Sequence, residues 1–195
     1  VRFSETDVPN PQDAYAVSKW DAEQALKQVA ADTGLEIVIL RPPLVYGPGV
    51  KANFLRLLAA LAKGIPLPLA SVNNRRSFIY LDNLVHAIKT CMTHPNAAGQ
   101  TYLVSDGEDV SIPDLIRRLA QALGRPARLW PFPPAALKAA AALMDKSAEA
   151  SRLLDSLQAD TSKIRNELGW NPPYSMSRGF DETAAWYLES LRAAP

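Results

Sequence analysis

Apolar positions in the first third of the chain change period twice. Trp20, Ala22, Ala25, Leu26, Val29 and Ala30 recur at the three- and four-residue spacing of one helix face. Pro9, Asn10 and Pro11 form a rigid, non-helical lead-in, Asp13 stands where an N-cap belongs, and Gly34 is a C-terminal stop. The period then gives way to a nearly continuous apolar run, Leu35, Ile37, Val38, Ile39 and Leu40, which predicts a buried parallel strand over 35–40 ended by Pro42 and Pro43. Helix, buried strand and Gly/Pro loop make an α/β unit, with its functional loop at the carboxyl end of the strand.

The same reading carries on downstream. A helix is expected over 54–63 with Gly64 as its stop, then a loop or short edge strand around Pro66 and Pro68. A strand over 77–81 leads into a helix to Thr93 with Asp82 as its cap, and 100–104 is a further strand. Ser111 caps a helix through Leu123, with Asp114 in a capping-box position and Gly124 after it. Residues 127–132 read as a short strand, 135–144 as an alanine-rich helix, 162–168 as a helix ended by the Gly169-Trp170-Asn171-Pro172-Pro173 stop, and 177–191 as a last amphipathic helix. Asp160 fits a cap for the helix ending at Leu168, and no internal repeat or low-complexity linker interrupts the pattern.

Composition narrows the classes. The 195 residues carry 21 Lys/Arg against 20 Asp/Glu, a net charge of +1, so no global field attracts nucleic acid or a membrane surface. The arginines at 75, 76, 117, 118, 125 and 128 are local pairs, without the aromatic interleaving of single-strand binders. The single cysteine, Cys91, lies in an apolar helical stretch and reads as packing; an intrachain disulfide is impossible, which fits a reducing cytoplasm. His86 and His94 have no metal-ligand spacing with each other or with Cys91, and no apolar run reaches membrane length. Val1 is an unusual start, which suggests part of a longer protein.

The candidate chemistry is Tyr15-Ala16-Val17-Ser18-Lys19. Residues four apart on a helix share a face, so the Tyr15 phenol and the Lys19 ammonium can address one reacting centre. A cation beside a phenol favours the phenolate, which suits a proton-transfer role near neutrality. The five-residue spacing alone arises readily by chance, and Tyr15 as an ordinary helix residue stands as the alternative.

Context sharpens the choice. Pro11 to Lys19 (P-x-x-x-Y-x-x-x-K), Leu40 to Gly49 (L-R-P-x-x-V-Y-G-P-G), Arg76 to Asn83 (R-x-F-I-Y-L-D-N) and Glu167 to Pro172 (E-L-G-W-x-P) occur in that order. With these motifs the chain resembles the extended short-chain dehydrogenase/reductases, and within them the NAD-dependent epimerase/dehydratase family acting on nucleotide-diphosphate sugars. Residues 41–53 and 73–77 are most similar to bacterial enzymes of surface-polysaccharide synthesis, UDP-glucose 4-epimerases or reductases of UDP-4-keto-6-deoxy-N-acetylhexosamines. The resemblance implies an α/β fold: the C-terminal part of a Rossmann-like doubly wound parallel sheet plus a smaller α/β substrate-binding lobe. It divides the chain into 1–50, the remainder of the NAD-binding domain, and 51–195, mainly the lobe, with about 77–93 returning to the first.

Residue by residue, the resemblance makes Tyr15 the group that exchanges a proton with the sugar and Lys19 the group that holds the ribose hydroxyls of NAD (NADP being the possible substitute). Pro42 and Val45 become cofactor contacts, although core packing serves Val45 equally well. Asn53 becomes a polar contact to substrate, the N-cap of the helix that follows, or both. Arg76 becomes the pyrophosphate ligand, since a guanidinium fork matches phosphate oxygens. Arg75 competes for that role because Ser77 replaces the family's usual aspartate, and a solvated arginine pair is the bland alternative. Leu67, Pro68 and Leu69 resemble the strand along the uridine, and Arg152 is a second phosphate candidate. A UDP-sugar partner and a homodimer built on the Tyr15 helix, with Trp20 and Leu26 outward, follow from the same resemblance.

The family's glycine-rich dinucleotide turn has no counterpart here: the nine glycines are scattered at turns and helix ends. Ser4 and Thr6 are too close to Tyr15 to stand in for the family's upstream catalytic hydroxyl. The chain therefore reads as the second half of an enzyme, inactive without the first, with an apolar sheet face left open. A short-chain reductase acting on a non-nucleotide carbonyl and a non-catalytic nucleotide-sugar-binding module are the alternatives.

Overall fold

The structure is a computed structural model that describes residues 2–193, so Val1, on which the reading of an unusual start rests, lies outside the described residues. Strand β1 (Arg2–Phe3) precedes helix α1 (Ala14–Thr33), and β2 (Ile39–Arg41), β3 (Leu44–Tyr46) and α2 (Ala52–Ala62) follow. Next come β4 (Arg76–Tyr80), α3 (Leu81–Thr93), β5 (Thr101–Leu103), β6 (Asp109–Val110) and α4 (Ile112–Ala122). The chain then runs through α5 (Pro134–Leu143), α6 (Ser147–Leu154), β7 (Gln158–Ala159), α7 (Ser162–Leu168) and α8 (Met176–Ala193).

The apolar runs pair in parallel, as their lack of alternation requires. β2 lies beside β5 with Ile39 opposite Thr101, and β3 lies beside β4 with Leu44 opposite Phe78. β6 adds antiparallel to the start of β4, and β1 pairs with β7. Side chains alternate across β4 and so feed two cores. Phe78 and Tyr80 enter the larger cluster with Tyr46, Phe54, Leu58, Leu119 and Phe180, whereas Ile79 joins Ala87, Tyr102, Val104, Ile164 and Trp170 in the smaller one.

Several local expectations meet their residues. Asp13 caps α1, its Oδ1 accepting from Ala16 N–H at 2.7 Å, and Gly34 closes the helix at φ 74°. Ser111 accepts from Asp114 N–H and donates to its carboxylate at 2.8 Å. Cys91 is buried, which pushes its thiol up from the usual value.

Others need correction. The strand expected over 35–40 is confined to Ile39–Arg41, because among the described residues β2 pairs on one edge only, with β5. Within the segment read as pure loop, Leu44–Tyr46 is a strand, because β4 supplies a ladder that no local pattern announces. The second helix begins at Ala52 with Lys51 in the cap position, so Asn53 sits in the first turn and is not the N-cap. Tyr80, not Asp82, occupies the cap position of α3; Asp82 lies in the first turn, where a carboxylate suits the helix dipole. Asp160, expected as the cap of α7, lies one residue before the cap position, which Thr161 holds, and accepts from Ser162 N–H at 2.9 Å. The strand expected over 127–132 reduces to a single bridge between Leu129 and Leu67.

The helix with the strongest motif is a highly exposed part of the fold. α1 has no buried residue, and Val17, Leu26 and Val29 are open to solvent. The 36–40 segment and the end of α3 line an open cleft of about 710 Å³, with Val38, Leu40, Ile88, Cys91 and Met92 on its walls.

Candidate active site

The first turn of α1 presents Tyr15 and Lys19 on one face. Tyr15 is 71% exposed, and the Lys19 Nζ stands 5.5 Å from the centre of its ring. The capping carboxylate of Asp13 sets the start of that turn, so the phenol projects from a helix end held by polar contacts. α1 is tied to β2 by a fork: Arg41 Nε and Nη2 donate to Glu23 at 3.0 and 2.6 Å, and this carboxylate raises the Arg41 guanidinium above its ordinary value. Trp20 lies against the same guanidinium at 5.8 Å.

Arg76 begins β4 and is half-buried, while Arg75 beside it is exposed. Burial lowers the Arg76 guanidinium from its usual value, and Nη1 donates to the Asp155 carbonyl at 2.9 Å. The Asp155 carboxylate is engaged elsewhere, by Lys138 at 2.7 Å, and among the described residues Arg76 has no carboxylate within ion-pair distance. The Asp155 charge still acts on Arg76 from beyond ion-pair distance and partly offsets its desolvation, and a guanidinium so placed is suited to an incoming anion.

The remaining candidates are dispersed. Pro42 is exposed just after β2; Val45 is half-buried against the smaller core. Asn53 is exposed on the first turn of α2. Leu67 is half-buried and exchanges backbone hydrogen bonds with Arg128 and Trp130 at 2.8 and 3.1 Å, and Leu69 points into the larger core. Arg152, on α6, reaches Asp13 with Nη2 at 2.5 Å from Oδ2. No direct hydrogen bond joins Tyr15 or Lys19 to Arg76 among the described residues; the link runs through Asp13, Arg152 and the Asp155 carbonyl. Neither the cavity beside α3 nor a second one of about 350 Å³, between Arg2, Ser105 and Arg165, contains these groups.

A phenol and an ammonium can both hydrogen-bond hydroxyl groups of a ligand lying on this face. A glycine-rich cradle for its diphosphate is not among the described residues. Reasoning from sequence missed Asp13 and Asp155 as connectors. Asp13 shows in sequence only as a cap, and its second oxygen acquires a partner 139 positions away, for which no local signal exists. The described residues include no His/Cys/Asp/Glu group able to hold a metal ion, and no helix long and apolar enough to cross a membrane.

Comparison with known proteins identifies the relatives of this chain. The NAD dependent epimerase/dehydratase family model matches residues 2–105. A UDP-glucose 4-epimerase of Vibrio cholerae is 45% identical over 189 residues, covering 96% of this chain and 58% of its own length. An N-acetyl-alpha-D-glucosaminyl-diphospho-ditrans,octacis-undecaprenol 4-epimerase of Escherichia coli O157:H7 is 26% identical, over 89% of this chain and 56% of its own. Among solved structures, the UDP-glucuronic acid 4-epimerase of Bacillus cereus in complex with UDP-glucuronic acid and NAD superposes with a TM-score of 0.76 at 24% identity. It is covered over 57% of its length by 97% of this chain, and the likeness establishes the fold. The chain thus spans a little over half the length of the curated relatives it matches.

Proposed function

The chain belongs to the NAD dependent epimerase/dehydratase family, and we propose that it carries the proton-transfer and substrate-anion residues of an NAD-dependent epimerase or 4-keto reductase acting on a UDP-sugar, active in a protein of full family length. NAD supplies the hydride acceptor and donor in such a reaction. Tyr15 takes the proton from the sugar hydroxyl and returns it to the ketone. Lys19 holds the ribose hydroxyls and keeps positive charge beside the phenol, with Pro42 and Val45 flanking the ring. Arg76 receives the pyrophosphate, assisted by Asn53, with Leu67 and Leu69 on the nucleoside side. A role in surface-polysaccharide synthesis, a cytoplasmic setting and a homodimer on the exposed face of α1 belong to the same proposal, as does the division at about residue 50.

The observation that carries it is Arg76: a half-buried guanidinium that donates to a backbone carbonyl, while the nearby Asp155 carboxylate pairs with Lys138 instead. A pyrophosphate needs such a cation, whereas a small non-nucleotide ketone does not. The test is a titration of UDP, UDP-sugars and NAD against this chain and against a family-length protein containing it. UDP binding that Arg76→Ala weakens at least tenfold supports the reading; no UDP affinity in either protein removes the sugar-nucleotide assignment. Micromolar NAD affinity in this chain alone would show that the missing glycine-rich turn is dispensable.

A further inference from the structure

Arg76 stands between two buried polar side chains, Asn74 and Ser77, and both bond to the segment that leads from α6 through β7. Ser77 Oγ accepts from Ala159 N–H at 2.8 Å. Asn74 Nδ2 donates to the carbonyls of Leu153 and Asp155 at 3.1 and 3.3 Å, and its Oδ1 accepts from Ile112 N–H at 3.0 Å. The amide can sit only one way round, because Ile112 offers a donor and the two carbonyls offer acceptors.

The partners of Asn74 are groups that helices leave over at their ends. Ile112 opens α4, so its N–H has no intrahelical acceptor; Leu153 lies in the last turn of α6 and Asp155 is its C-cap, so their carbonyls lack a helical donor. Asn74, only 3% exposed, serves one helix start and one helix end with a single side chain. The Asp155 carbonyl has a second partner: Arg76 Nη1 donates to the same oxygen at 2.9 Å, so Asn74 and Arg76 use both of its lone pairs. Asn74 fixes where that oxygen lies, and the oxygen fixes where the guanidinium lies. Every group in this arrangement is supplied by residues 74–155.

We propose that Asn74 is a positioning residue for the anion site: through the Asp155 carbonyl it holds the Arg76 guanidinium, and through Leu153 and Ile112 it ties α6 and α4 to the same strand. Its effect on ligand affinity rests on the nucleotide-sugar reading above; its effect on the guanidinium does not. Arginine side chains lose much rotamer freedom on ordering, so a guanidinium fixed before the anion arrives binds it at less entropic cost. At metal sites, removing the outer hydrogen-bond partner of a binding group lowers affinity about 10- to 100-fold, and a loss of about tenfold is expected here.

Two measurements test this. In this chain, the heteronuclear NOE of the Arg76 Nε–H reports its motion on the ps–ns timescale. Asn74→Ala is expected to lower it to the level of the exposed Arg75 Nε–H. Asn74→Ser, the milder change that keeps a hydroxyl and loses the amide donors, is expected to lower it part of the way and decides the matter if Asn74→Ala does not fold. An unchanged Arg76 NOE in a folded variant overturns the proposal. In a family-length protein, Asn74→Ala is expected to weaken UDP binding about tenfold and raise KM for the sugar nucleotide, with kcat unchanged. In an Arg76→Ala background the same change adds nothing further. Losses that add in the double variant would make Asn74 merely structural and overturn the positioning role. An equal loss of UDP affinity in Gly179→Ala, a control destabilised in the aromatic core, would do the same. Absence of UDP binding in the unsubstituted protein would defeat the nucleotide-sugar reading, and the arginine NOE would still decide the placement.

Discussion

Glu23 and Arg41 meet in a bidentate fork, with nitrogen–oxygen distances of 2.6, 3.0 and 3.2 Å, and this fork joins the middle of α1 to the edge of β2. Both side chains are largely shielded, Glu23 at 18% and Arg41 at 22% exposure, so removing one leaves the other partly desolvated without its counter-charge. Glu23→Ala is expected to cost about 1–3 kcal/mol, less than the roughly 3–5 kcal/mol of a fully buried pair because both groups keep some contact with water. Hydrogen exchange along α1 should rise with it, and urea denaturation gives the cost directly.

Tyr15 projects into solvent, and its hydroxyl makes no described contact that holds the fold. Tyr15→Phe therefore leaves the melting temperature unchanged, while kcat in a family-length protein falls by about 100- to 10,000-fold, the usual contribution of a positioned proton-transfer group. Turnover measured alongside a thermal melt checks both halves, and full activity in Tyr15→Phe removes the catalytic assignment.

Asp106 binds three segments at once, accepting from Tyr46 Oη at 2.7 Å, Tyr80 N–H at 2.9 Å and Asn83 Nδ2 at 2.7 Å. Asp106→Ala strands these buried donors and is expected to cost about 2–4 kcal/mol. Burial raises the Asp106 carboxyl above its ordinary 3.8, against the pull of the hydrogen bonds. In the window between 3.8 and that raised value the native state binds more protons than the unfolded chain, so this group's contribution to stability falls as pH rises through the window. Denaturation midpoints measured as pH rises above 3.8, for the unsubstituted chain and for Asp106→Asn, should show this decline as a difference between the two.

Gly179 lets α8 approach the aromatic centre. A Cβ there would lie 2.8 Å from Tyr46 Cε2 and Oη and 2.9 Å from Tyr80 Cδ2, both rings being fully buried. Gly179→Ala gains helix propensity yet is expected to destabilise by about 1–3 kcal/mol through overpacking, a shift visible in a calorimetric melt.

Much of this fold was legible along the chain because its signals are local. The α1 cap and stop, the Ser111 capping pair and the apolar runs of β2, β4 and β5 each depend on neighbours a few residues away. β3, β6 and β7 were not legible, since no apolar run of strand length marks them and each forms only where a distant partner offers a ladder. α6 also escaped notice, its short polar pattern carrying no strong cap.

For the site, the division is the same. The sequence by itself determined the helix that puts Tyr15 and Lys19 on one face and the four motifs that announce the family, because helical spacing and motif order are properties of a linear chain. Tertiary structure alone decided that Arg76 rather than Arg75 is half-buried, that Leu69 turns into the core, and that Arg152 meets Asp13. Burial and counter-ion choice are set by what folds back from far along the chain, and no pattern over a few residues encodes them.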